Sequence, residues 1–136
     1  MQFAIKTEVG DPARDLFIFK DQKTMYEGKH IGKGDVIFVF ASENEGGQGL
    51  VAVGIVASAK ATPRKPGVAR QTPRVSITVR STGRAKRRLG RAELETFANR
   101  DDDRPESELH FKFYRQATNK IVGIADATAA FLRKHF

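Results

Sequence analysis

Five consecutive β-forming residues, Val36-Ile37-Phe38-Val39-Phe40, constrain this chain more than any other feature. A strand with one wet face alternates apolar and polar side chains, because successive residues point to opposite sides. This run is apolar on both sides, so it predicts a strand buried on both faces. Gly34-Asp35 supplies a turn into it, and Ser42 to Gly49 breaks it with turn chemistry. Leu50 to Ala59 resumes as a second strand of small and β-branched residues, which makes the pair a hairpin. Gly54 inside that second strand predicts a bulge or the close approach of another backbone or a ligand.

The remaining elements follow from the same periodicities. Gln2 to Thr7 reads as a short strand, with Phe3 and Ile5 alternating against polar neighbours. Asp11 to Phe19 is ambiguous: Asp11-Pro12 opens like a helix, while Leu16 to Phe19 is a strand-like run. Thr24 to Lys33 reads as a polar connection holding Tyr26 and His30, and the proline-rich Thr62 to Pro73 as a loop. Arg74 to Arg80 alternates strictly, placing Val75, Ile77 and Val79 toward a core and Arg74 and Arg80 toward solvent. Arg91 to Asn99 has helical spacing through Leu94 and Phe97. Leu109, Phe111 and Phe113 alternate with polar residues and predict a strand; Ile121 to Ile124 is short and apolar. Asp126 is placed to cap a final helix with Ala127, Ala130 and Phe131 inward. The sum is five or six strands with two or three helices. That is a mixed α/β domain dominated by a curved sheet, and 136 residues suit a single domain over 1–136.

Val36 to Val56, entered through Gly-Asp and turning through a Gly-rich loop, resembles the PUA-like superfamily and within it the EVE and YTH branches. The loop Ser42-x-Asn44-x-x-Gly47 is similar to the Ser-x-Asn-x-x-Gly turn of many YTH domains. The resemblance implies a small curved sheet or pseudo-barrel flanked by two or three helices, with a concave pocket for a base. Its members read DNA or RNA, often through a modified base held between aromatic rings. This chain has no Trp, so a cage here would draw on Tyr26, Tyr114 or Phe.

Charge points toward the same kind of partner. Between Gly46 and Ala92 there is no Asp or Glu, but eleven of the 24 Lys and Arg lie there. The other 13 are outweighed by all 16 acids, so the net charge of +8 resides in the middle third. A concentrated positive field attracts polyanions, and guanidinium groups suit phosphate and base edges. Arg64, Lys65, Arg70 and Arg74 form one group; Arg84, Lys86, Arg87 and Arg88 form another. They are either two phosphate-contacting patches flanking a pocket or two unrelated surfaces, with the Arg74–Arg80 strand between them. Ser42 and Asn44 offer hydrogen bonds to a base edge beside the hairpin loop, and Tyr26 offers a stacking surface. A second reading is a protein-interaction module whose basic face docks an acidic partner.

Other classes find little support. Without Cys there is no disulfide and no thiolate zinc site, and His30, His110 and His135 show no ligand spacing. Asp101-Asp102-Asp103 are adjacent in one loop, whereas a two-metal site needs ligands converging from separate elements. Lys29-His30 has no accompanying nucleophile pattern. We therefore expect no catalytic residues, metal or cofactor. An acid within eight residues of Met1 argues against a signal peptide, and no apolar stretch approaches a membrane span. A cytoplasmic nucleic-acid-binding protein is the expectation, with an exposed edge strand able to pair with a second copy.

Overall fold

The computed structural model describes residues 1–99 and 101–136. Its centre is a closed barrel of six strands: β1 (Gln2–Thr7), β2 (Leu16–Met25), β3 (Val36–Ala41), β4 (Gly49–Ala61), β5 (Arg74–Arg84) and β6 (Lys120–Ile124). Around the barrel they run β1-β3-β4-β5-β2-β6. The β3–β4 hairpin and the β4–β5 pair are antiparallel; β1 joins β3 in parallel, and β2 closes the barrel against β6, also in parallel.

Side-chain parity builds two cores from one wall. Phe3, Ile5, Ile37, Val39, Val75, Ile77 and Val79 fill the barrel interior with Phe17 and Phe19. The opposite faces of the same strands present Ala4, Phe38, Phe40, Val53 and Val122 outward, where the helical segments cover them. The expected two-sided burial of β3 is therefore met by barrel on one side and helix on the other. Phe38 and Phe40 are fully buried, each stabilising by about 1.5–3 kcal/mol relative to exposure. The alternation expected in β5 is also observed, with Arg74 and Arg80 exposed.

The covering layer consists of α1 (Arg91–Leu94), α2 (Pro105–Leu109) and α3 (Asp126–Arg133). A π-helical turn, His110–Arg115, continues α2. Here two expectations are corrected. The stretch through Leu109, Phe111 and Phe113 is helical, not a strand. Leu109 and Phe113 stand four apart on one buried face and Phe111 is left exposed, so the spacing satisfies a helix as well as a strand. Pro105 in the first turn and the Glu108–Lys112 pair at 2.7 Å favour the helix. Asp126 is the first residue of α3 rather than its cap. Glu108 takes that role from α2, accepting hydrogen bonds from the Ala125 backbone N–H and the Thr128 hydroxyl. A third difference lies in β2, which runs on to Met25 through Lys20-Asp21-Gln22-Lys23. A bulge between Phe19 and Gln22 lets this charged stretch stay in the barrel wall.

Two lysines fasten the helical layer to the barrel. Lys6 and Lys120 are direct partners in the β1–β6 ladder, and both are fully buried. Lys6 Nζ donates to the carbonyls of Phe113 (2.8 Å) and Ala117 (3.2 Å). Lys120 Nζ donates to those of Gln116 (3.1 Å) and Thr118 (3.0 Å). Carbonyls at a helix C-terminus lack partners and carry partial negative charge, so two ammonium groups fit there. Lys6 also lies 5.2 Å from the Tyr114 ring centre. Burial, and then the charge of Lys6, push the Lys120 ammonium down from 10.5 to about 8. Burial lowers Lys6 as well, against the pull of Glu43.

Gly54 confirms its expected role. It sits at a bulge in the β4–β5 ladder, and a Cβ there would overlap the Arg80 carbonyl oxygen. Gly54→Val should destabilise the protein by about 1–3 kcal/mol or more. Gly10→Ala, with open space around it, should stay within about 0.5 kcal/mol in the same urea titrations. For Lys120 the linkage sign is set by its depressed value. Between about 8 and 10.5 the unfolded chain keeps a proton that the folded protein has lost, so stability rises with pH across that window. Urea midpoints of the wild type should climb there relative to those of Lys120→Met, whose profile lacks this rise.

Candidate functional site

The β4–β5 loop, spanning residues 62–73, is not a slack connection. Gln71 pins it, its side-chain amide accepting from Lys65 N (2.8 Å) and donating to the carbonyls of Lys65 (2.7 Å) and Val68 (3.1 Å). At its base, Thr62 N donates to Arg74 O (2.8 Å), and Thr24 donates to Pro73 O through both backbone and hydroxyl. Arg74 reaches across to the Asp21 carbonyl at 2.7 Å, in the β2 bulge. The loop thus borders an open cavity of about 540 Å³ beside the barrel wall. Lys23, Lys29, His30, Arg64, Lys65 and Arg74 line it, with no carboxylate among the lining residues. Ala61, Pro63 and Pro73 add apolar surface. Chemically this is a recess for an anion with an apolar body.

A shallower cleft of about 320 Å³ adjoins it and shares Lys23 and Arg74. Its other side carries Thr7, Glu8, Glu45 and Asn119. Glu45 belongs to the hairpin loop and accepts from Asn119 Nδ2 at 3.1 Å. The hairpin loop and the first basic group, remote in sequence, therefore meet at one rim. With Asp21 beside Lys23 and Arg74, the cleft mixes three carboxylates with two cations, which suits a group that both donates hydrogen bonds and carries negative charge.

The loop itself is held from behind. Tyr114 donates its hydroxyl to Glu43 at 3.0 Å, and Glu43 accepts from Arg91 N at 2.6 Å. Burial, and then the Glu43 charge, hold the Tyr114 phenol protonated far above its ordinary range. Arg91 donates to Asn44 Oδ1 at 3.0 Å, leaving Asn44 exposed on the surface. Ser42 is enclosed at 1% exposure, so its hydroxyl lies beneath the loop rather than in either recess.

The other expected residues fall elsewhere. Tyr26 is half-buried at the outer core, 5.8 Å from the Phe111 ring, with Lys112 Nζ 5.2 Å from its own ring. Its carbonyl accepts from Gly123, which pairs with Phe3, whereas Ser42 bonds to Thr7. Four residues of β1 separate these points, about 13 Å, so the structure does not bring Tyr26 together with the hairpin loop. Arg70 is exposed on the β4–β5 loop outside the cavity lining. Arg84, Lys86, Arg87 and Arg88 are exposed around the far end of β5, about 33 Å from Arg74 along the strand. Arg88 faces Glu93 at 3.7 Å. Lys23, Lys29 and His30 join the cavity without having been singled out as binding residues in the sequence. The strand pairing that recruits Lys23 links β2 to β5, which are distant in the chain.

Among the described residues, no three His, Cys, Asp or Glu are placed to hold a metal ion, and no helix is long and apolar enough to cross a membrane. No protein-family model matches the sequence, and no curated protein matches it significantly. Solved structures do resemble it. The DUF55 domain of human thymocyte nuclear protein 1 is 13% identical with a TM-score of 0.62, the alignment covering 98% of this chain and 97% of that one. A hypothetical protein from Leishmania major is 14% identical with a TM-score of 0.61, covering 98% and 92%. A Pseudomonas putida protein is 13% identical with a TM-score of 0.64, covering 98% of each chain. At such identities the likeness concerns the fold, and this chain shares with the DUF55 domain the fold of a small β-dominated closed barrel with a helical flank.

Proposed function

We propose that the protein is a non-enzymatic nucleic-acid-binding module that seats a phosphate in the cavity under the β4–β5 loop. The observation that carries the reading is the convergence of Lys23, Lys29, Arg64, Lys65 and Arg74 on one recess with no carboxylate in its lining. Five cations brought together repel one another, and an anion in their midst relieves that repulsion. The neighbouring cleft, with Glu8, Glu45 and Asn119, takes the base attached to that phosphate. Carboxylate and amide acceptors there suit the exocyclic amine of adenine or cytosine. A modified base is the finer form of the reading, and it rests on the likeness of the hairpin loop to the EVE and YTH branches. PUA-like architecture is compatible with it, and the base would be held by hydrogen bonds and apolar loop surface rather than by a tryptophan cage.

The test is fluorescence anisotropy with matched DNA and RNA oligonucleotides, methylated and unmethylated, at low and near-physiological salt. Arg64→Glu combined with Lys65→Glu should weaken binding at least tenfold at low salt. The log–log salt slope should also fall by about 0.7 for each single-strand phosphate that the variant no longer neutralises. Unchanged affinity and slope in that variant would remove the cavity from the reading. Tight, salt-resistant binding to an acidic protein with no oligonucleotide binding would replace it by the protein-docking alternative.

A further inference from the structure

The helices cover only part of the barrel wall. The outer face of β2, β5 and the C-terminal half of β4 is left bare, its cross-strand rows shifted by bulges between Phe19 and Gln22 and between Val56 and Ser58. Leu16 pairs with Arg80, and Arg80 with Ile55; Ile18 pairs with Thr78, and Thr78 with Ser58; Ser76 pairs with Lys60. Leu16 is 46% exposed and Ile18 64%, unusual for large apolar side chains on a sheet. Between them and Lys60 lies a depression of about 260 Å³ bordered by Lys20, Ser76 and Thr78. Its one acid, Asp21, is engaged by the Thr62 hydroxyl at 2.8 Å. The face also continues without a break into the cavity, because Arg74 begins the outward row of β5 and lines the cavity too.

We infer that this bare face is a track for a single nucleic-acid strand leaving the cavity. Arg74, Lys60 and Arg80 meet successive phosphates, and Ile18 and Leu16 pack against sugars and base faces. The inference rests on the cavity reading above. From Arg74 to Arg80 the strand extends about 20 Å, the length of about three phosphates of an extended single strand, whose spacing is roughly twice the 3.4 Å rise per strand of a stacked duplex. A second copy of the chain is a poorer occupant, since a two-fold contact would set the same cations against each other. A polyanion matches both the charge and the continuity with the cavity.

The experiment measures binding of a length series of single-stranded oligonucleotides, from dinucleotide to dodecanucleotide, at two salt concentrations. It uses the wild type, Lys60→Glu/Arg80→Glu and Arg64→Glu/Lys65→Glu. Because the changed residues are at exposed positions, thermal melts should match and serve as the folding control. Wild-type affinity should rise with length to about five nucleotides and then level off, as expected when the cavity and about three further phosphates are filled. Lys60→Glu/Arg80→Glu should leave dinucleotide affinity within about twofold, abolish the rise and lower the dodecanucleotide salt slope by about 1.4. Equal wild-type affinity at every length, or equal weakening of short and long strands by that variant, would overturn the track. If Arg64→Glu/Lys65→Glu leaves every length bound as before, the cavity reading fails, and the face stands or falls on the Lys60→Glu/Arg80→Glu result. Absence of any wild-type binding overturns both.

Discussion

The contact between two buried ammonium groups and four carbonyls in and just beyond the π-helical turn organises this protein. Lys6 and Lys120 sit side by side in the β1–β6 ladder, an arrangement that costs desolvation and like-charge repulsion. It persists because their donors meet the carbonyls of Phe113, Gln116, Ala117 and Thr118, in and just past the helical turn. The geometry fixes where the π-helical turn ends. That places Tyr114 over Lys6 and within reach of Glu43, and Glu43 in turn holds the start of α1 through Arg91 N. The hairpin loop is thus positioned from inside the protein by charge, not by its own glycines alone. What the loop turns outward, Asn44 and Glu45, follows from that anchoring.

Parts of this arrangement are legible in the sequence because they depend on local periodicity. The double-sided apolar run of β3 and the strict alternation of β5 each encode which side is covered, and a barrel with a helical flank satisfies both. Gly54 is legible for a related reason: a glycine amid β-branched residues marks a place where backbone comes close. The segment around Phe111 is not, since three aromatic and aliphatic residues two apart leave Leu109 and Phe113 four apart. What decides between the periods is the Glu108–Lys112 pair and the lysine clamp on the carbonyls beyond, both of which act through the folded context. The charged centre of β2 hides a strand for a similar reason, because a bulge absorbs the polar residues that break the pattern.

The site divides along the same line. Cations clustered in the chain, Arg64, Lys65 and Arg74, are visible as a cluster. Their completion by Lys23 and Lys29 requires β2 to lie against β5, a pairing between strands separated by two others in sequence order. The second basic cluster shows the converse. Arg84 to Arg88 are near Arg74 in sequence, but an extended strand carries them about 33 Å away. Sequence proximity thus overstates one association and misses another, and strand geometry accounts for both.

The division of the barrel wall bears on function through charge. Helices bury the outer faces of β1, β3 and β6, while the bare side keeps Lys20, Lys60, Arg74 and Arg80 in water. A surface that needed only solubility would intersperse acids with these bases, since mixed charge dissolves a protein without a directional field. Here bases predominate: Asp21 borders the bare face and Glu8 and Glu45 the adjoining cleft, while Glu43 is tied to Tyr114, Glu108 to α3 and Lys112, and Asp101 to Asp103 lie in the exposed loop before α2. For the polyanion proposed above, the exposed rows of the sheet and the recess that shares Arg74 with them form one continuous basic path.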